Sequence, residues 1–468
     1  MISDTPFSVT RREFGLSLSG LTAAAPIAAA QDLGAAPWAG PAIVKKVYLG
    51  IPQPTWPKPS LDVKQEMAEV ESNIAELERK HPGAVRFTGG ELLRTVEDAQ
   101  ACVKGLPDVD ALLIIDLTSG TSGMMRVLRD IQAPTLLFSR PYSGWSYVDA
   151  AAWAQSGKKA DLIVSSNYGD LDPYMRIFRT IHHLRRSKVL VVAPGAERSQ
   201  LAAAFTKQFG ATIAFPSYQD LKAAHEAVDL GQAQKAAAEF TRGALRVVEP
   251  SPKEITDALR FYLGVVNLLK KEQANALTVD CLGGFRRGDL PAYPCVAWSK
   301  LNDQGLYGVC EGDLASTITQ ILMTAFTGKP GFVSDPVFDT SRNEVIHAHC
   351  VSATAMQGVG GPGSPYIIRS HMEDNKGVSL QVLVPLGDTV TVGKFLNPKK
   401  FALSTGEVIG NVDIDRGCRT KFRTRVANAR KMLEGFTGGL HRVVVYGDYV
   451  QPIEQMGRLM GFEVVREC

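Results

Sequence analysis

The chain has 468 residues, 45% of them hydrophobic and 21% charged. That balance excludes a disordered, collagen-like or coiled-coil chain as the main state, and the length holds about two to four domains of ordinary size. Lys and Arg number 51 against 48 acids, a net charge of +3. So weak a field gives no argument for nucleic acid or an anionic membrane as a partner.

The N-terminus does not read as part of the fold. Arg11-Arg12-Glu13-Phe14 precedes an apolar stretch that ends at Ala28-Ala29-Ala30. Charge, then a short apolar run, then small residues is the layout of a cleaved export signal, and the paired arginines resemble the twin-arginine motif. Residues 1–30 are therefore expected to be a signal peptide and 31–42 a linker, which makes the protein exported, periplasmic or extracytoplasmic. The apolar run is shorter than the roughly 20 residues that span a bilayer and contains Pro26. No other stretch is long and apolar enough, so no stable membrane span is expected after cleavage. The seven cysteines include no CxxC pair, which argues against a disulfide framework or a structural zinc site.

In chain order, residues 44–50 read as a strand. Residues 61–81 carry helical periodicity, with acids early and Arg79-Lys80 late, as the helix dipole favours. The apolar runs 111–116 and 135–138 have the character of buried parallel strands. A second strand-helix series follows, with strands at 161–165, 188–192 and 212–215, helices at 176–186 and 199–209, and a long helical region over 218–271 broken at Pro250 and Pro252. This rhythm predicts open α/β sheets. After a helix at 314–326 the chain turns rich in Gly, Thr and Val, with short strand patterns at 378–385, 390–392 and 401–408. A strand-helix-strand unit over 442–465 closes it. The expected fold is α/β: two N-terminal Rossmann-like domains (43–145 and 146–265), then a β-rich, barrel-like C-terminal domain (266–468) that carries the chemistry.

Three clusters in that last domain can carry chemistry. Cys310-Glu311-Gly312-Asp313 opens the helix at 314–326. Helix capping accounts for Asp313 but leaves Glu311 unexplained at a strand end, where ligands gather in α/β folds. Asp335 follows an apolar run and precedes Pro336, so it stands at a rigid strand end; nearby, His347 and His349 share one face of a strand. His441 stands just before the apolar run 442–446. Asp335, the His347/His349 pair and His441 each have, taken alone, an ordinary structural explanation. Together, a glutamate, an aspartate and a late histidine make a hard divalent-cation site suited to Mn²⁺ or Mg²⁺.

On residues 310–326, 327–356 and 440–465 the chain resembles the L-fucose isomerase/L-arabinose isomerase superfamily, and most closely its fucose isomerase-like branch. The resemblance implies metal ligands Glu311, Asp335 and His441, and Glu311 and Asp335 as catalytic acid and base. His349, in an Ala-His context similar to that of the arabinose enzymes, is implied as a fourth ligand or as a group behind the ligands. It also implies Mn²⁺ (or Mg²⁺ or Co²⁺) as cofactor, aldose–ketose isomerisation of a sugar through a cis-enediol, and a homo-oligomer, trimer or hexamer, in which a neighbour's N-terminal domain helps close the site. His371, Glu373 and Lys376 form a polar turn within reach of substrate hydroxyls or an ordinary hairpin turn. Trp298 is a candidate for the sugar face, although core packing accounts for it better. An exported metal-dependent lyase or hydrolase on the same scaffold, and a non-catalytic carbohydrate-binding protein, are the competing readings.

Overall fold

The computed structural model describes residues 38–467, so the signal and most of the linker expected from the sequence lie outside the described residues. The chain is mixed α/β, with parallel sheets and a β-rich C-terminal region, and divides into two compact units. One comprises Pro37–Arg185 and Gln451–Val464; the other takes Arg186–Val450 and the last residues. Among the described residues no helix is long and apolar enough to cross a membrane.

The first unit is built on a five-stranded parallel sheet in the order β2-β1-β3-β4-β5. Its strands are β1 (Ala42–Leu49), β2 (Val85–Leu93), β3 (Ala111–Asp116), β4 (Thr135–Ser139) and β5 (Ala160–Val164). Every residue of β3 and β4 is buried, which explains their unbroken apolar reading. Strand β2 is absent from the sequence reading because Gly89 and Gly90 interrupt it and much of it is exposed. The segment from 451 to 464 is tied to this unit by Arg458, whose Nε donates to Asp161 Oδ1 at 2.8 Å; Tyr174 donates to the other oxygen at 2.6 Å.

The second unit opens with β6 (Lys188–Val192), β7 (Thr212–Ala214) and the two-residue β8 (Arg246–Val247). Strands β9 (Ala276–Val279) and β10 (Tyr307–Cys310) complete a four-stranded parallel sheet in the order β10-β9-β6-β7. The long helical region resolves into Tyr218–Glu226, Leu230–Gly243 and Pro252–Glu272. The last begins on a capping box between Ser251 and Glu254, with Pro252 inside its first turn.

The β-rich region follows as β11 (Phe332–Asp339), β12 (Glu344–His349), β13 (Tyr366–Arg369), β14 (Ser379–Val382), β15 (Thr389–Asn397), β16 (Lys400–Asn411), β17 (Thr420–Arg425), β18 (Arg442–Tyr446) and β19 (Glu463–Arg466). The sheet runs β15-β18-β11-β12-β17-β16-β19, and β15 also pairs with β16. That second pairing closes six antiparallel strands into a barrel and leaves β19 outside the ring. Gly393 permits the closure: a Cβ there would meet the Phe401 ring at 2.5 Å. The helix Leu314–Thr327 lies against β9, β10, β11, β15 and β18, and most of its residues are buried. It joins the end of the parallel sheet to the barrel, and the candidate site forms there.

Candidate metal centre

Glu311 and Gly312 form the turn between β10 and the helix, and both adopt left-handed backbone, each with φ of +65°. Glycine takes that conformation freely, whereas for a glutamate it costs on the order of 1 kcal/mol. The turn is held by Gly312 N–H to Val279 O at 2.9 Å. Asp313 caps the helix, accepting from Ser316 N at 2.9 Å and Ser316 Oγ at 2.8 Å. It does more than the sequence reading assigned to it. Its Oδ2 also accepts from His441 Nδ1 at 2.9 Å and from Lys394 Nζ at 2.5 Å. Burial pushes the Asp313 carboxyl up, but the bonds from His441 and Lys394 win and hold it well below the usual carboxylate range.

His441 enters from the turn before β18. Arg442, fully buried and paired with Glu467, donates to Thr437 O at 2.9 Å, Gly439 O at 3.1 Å and His441 O at 2.9 Å, so one guanidinium fixes the whole turn. With Nδ1 committed to Asp313, His441 directs Nε2 at two carboxylates: Glu311 Oε2 at 3.5 Å and Asp335 Oδ1 at 3.4 Å. Burial lowers the His441 pKa, yet Asp313 and the facing carboxylates raise it overall. Asp335 lies on β11, paired across the sheet with Ala348, and its other oxygen is 4.0 Å from Cys418 Sγ. Burial, reinforced by the Glu311 charge, pushes its carboxyl up to about 6.

His349, at the end of β12, approaches the cluster from a third direction, with Nε2 at 3.9 Å from Glu311 Oε1. Burial lowers its pKa to about 3, so the ring is neutral and this approach is not an ion pair. Its strand neighbour His347 is a satisfied core residue, bonded to Ser334 Oγ at 3.0 Å and Thr424 Oγ1 at 3.1 Å.

Three buried polar atoms here have no hydrogen-bond partner: Asp335 Oδ1, His441 Nε2 and His349 Nε2. Orphaned buried polar atoms are costly and rare, and Asp335 Oδ1 and His441 Nε2 meeting beside the Glu311 carboxylate fit a cation better than they fit an empty core. Ligand atoms of Glu311, His349 and His441 lie within 4.8 Å of one another. The donor set, oxygens and imidazole without a thiolate ligand, suits Mn²⁺, Mg²⁺ or Co²⁺.

The fold thus brings together Glu311, Asp335, His349 and His441. His371 lies beside Tyr293, the two rings tilted with centroids 5.4 Å apart, and Asp374 accepts from Tyr293 and sits 3.3 Å from His371 Nδ1. Glu373 acts electrostatically on Asp335. Lys376 N–H donates to Asp374 Oδ1 at 3.3 Å, and its side chain is exposed. Trp298 is not brought to the cluster. It is fully buried, edge-on to Phe261, and no face of its ring is left for a ligand.

No family model matches the chain. It is similar to sulfoquinovose isomerase from Priestia aryabhattai and from Priestia megaterium (strain ATCC 12872 / QMB1551), 22% identical to each over 304 residues. The match covers 62% of this chain and 66% of each relative, just under two thirds of their length. The likeness is therefore to isomerases of a sugar.

Proposed function

We propose that the protein is a metal-dependent aldose–ketose isomerase that acts on a sugar through a cis-enediol. The observation that carries this reading is the convergence of Glu311, Asp335 and His441 on one point, where Asp335 Oδ1 and His441 Nε2 are buried without a hydrogen-bond partner. The likeness to sulfoquinovose isomerase supports it independently. Glu311, Asp335 and His441 would hold the cation, which supplies Lewis acidity to two adjacent sugar oxygens.

The chain's own residues account for the proton movement. A base must lie within hydrogen-bond reach of the proton it takes, and Glu311 and Asp335 both face the point at which His441 Nε2 is directed. One of the two carboxylates takes the proton from C2 and a proton returns at C1, while a hydroxyl proton passes between O1 and O2. Atoms and charge balance, and the product has the mass of the substrate. Asp313 keeps His441 facing the carboxylates. His371, Glu373 and Lys376 are proposed to contact sugar hydroxyls.

Export by the twin-arginine route is part of the proposal, since it rests on residues 1–30 alone. So is a trimer or hexamer in which a neighbour's N-terminal domain helps close the site. Exposed aromatic residues of the first unit support this: Trp56 stacks on Trp145 at 5.9 Å, and Tyr142 and Trp145 are 77% and 54% exposed beyond the strand ends.

The test is a sugar panel that includes sulfoquinovose, read by mass and by NMR. A product isomeric with its substrate, chelator-sensitive and lost in both Glu311→Gln and Asp335→Asn, is expected. Full activity in both variants contradicts the proposal, and products of changed mass would make the protein a lyase or hydrolase.

A further inference from the structure

The two histidines that face the centre have opposite hydrogen-bond commitments. His441 Nδ1 faces Asp313 Oδ2 at 2.9 Å, an oxygen that Lys394 Nζ also bonds at 2.5 Å, and a carboxylate paired with an ammonium only accepts. Nδ1 therefore carries a proton, and Nε2 is the atom that can offer a lone pair to a cation. His349 is bound the other way round. Its Nδ1 accepts the backbone N–H of Cys350 at 2.9 Å, so Nδ1 carries no proton. A neutral imidazole has one N–H, and in His349 it must be on Nε2. That atom is buried, has no partner, and lies 3.9 Å from Glu311 Oε1.

We infer that His349 is not a metal ligand but a hydrogen-bond donor, its Nε2–H aimed at an oxygen of the bound sugar beside Glu311. To ligate through Nε2 the ring would have to move its proton to Nδ1, against the Cys350 N–H. Two donors would then face each other at hydrogen-bond distance, and the end of β12 would have to shift. A donor already in place costs no reorganisation when charge develops on a sugar oxygen during enolisation, which is where such a group contributes most. The assignment of the substrate oxygen rests on the isomerase reading; the assignment of the ring proton does not.

Two measurements test it. Nitrogen-15 NMR of histidine-labelled protein without metal, with the His349 signals identified by their loss in His349→Gln, should show the proton on Nε2. Titration with Mn²⁺ alone should give His349→Ala and His349→Gln affinities within about threefold of the unaltered protein, with His441→Ala weaker by at least about 10-fold. Where a substrate is turned over, His349→Ala should lower kcat with little change in KM, and His349→Gln, which keeps an N–H, should recover part of it. A proton on Nδ1, or His349→Ala losing as much Mn²⁺ affinity as His441→Ala, overturns the inference. Absence of turnover with any sugar would count against the isomerase and leave the ring-proton and Mn²⁺ results decisive for His349.

Discussion

His441 Nδ1 and Lys394 Nζ bond to the same oxygen of Asp313, at 2.9 and 2.5 Å. Asp313 is thus both the cap of one helix and the anchor of a histidine 128 positions further along the chain. Asp313→Asn keeps an oxygen for the cap but removes the charge that fixes the His441 tautomer and neutralises Lys394. Loss of such a partner behind a ligand typically weakens metal binding about 10–100-fold. Isothermal titration of the variant with Mn²⁺ should show a loss of that order, and unaltered affinity would mean that Asp313 is a cap and nothing more.

The Arg442–Glu467 pair is buried on both sides, with side-chain exposures of 1% and 4%. Removing one partner of such a pair strands the other and costs about 3–5 kcal/mol. Arg442→Leu should lower unfolding stability by about that much in denaturant titrations, because Glu467 is left without its partner and the turn carrying His441 is released. A cost below about 1 kcal/mol would show that the turn is held by other groups.

Asp116, at the end of β3, accepts from Ser146 N at 3.0 Å, and burial raises its carboxyl to about 7. A raised folded-state pKa means that its stabilising contribution is complete below the unfolded value near 4 and is lost as pH rises through about 7. Asp116→Asn removes this dependence while keeping an acceptor for Ser146. The melting temperature of the variant relative to the unaltered protein should therefore be higher at pH 8 than at pH 5. A difference that does not vary with pH would contradict the assignment.

If a neighbour closes the site, Glu311→Gln and Trp145→Ala subunits should complement each other. After subunit exchange of an equal mixture, about a quarter of the sites would combine an intact Glu311 with an intact neighbouring Trp145. Activity should then rise towards that fraction. No gain over either variant alone would argue that each chain completes its own site.

The parallel strands were legible because burial on both faces leaves an unbroken apolar record, as in β3 and β4. The barrel was visible only as a change of composition, since its closure depends on β15 and β16 pairing across a ring that local patterning cannot reveal. Glu311, Asp335 and His441 could be singled out as residues that ordinary structural roles explained poorly in combination. Asp313 was missed for the opposite reason: capping explained it locally, and the partners that give it a second role, Lys394 and His441, are brought to it by the fold alone. Trp298 is core, the role its sequence context favoured: it is fully buried beside Phe261.

Whether Glu311, Asp335 and His441 form one divalent-cation centre is decided by the stoichiometry of Mn²⁺ binding. Metal-stripped protein titrated with Mn²⁺ and followed by electron paramagnetic resonance should bind one ion per chain, with that site weakened by at least about 10-fold in each of Glu311→Gln, Asp335→Asn and His441→Ala while their melting temperatures stay near that of the unaltered protein. Well-folded variants that bind Mn²⁺ as tightly as the unaltered chain, or an unaltered chain that binds none, would contradict it.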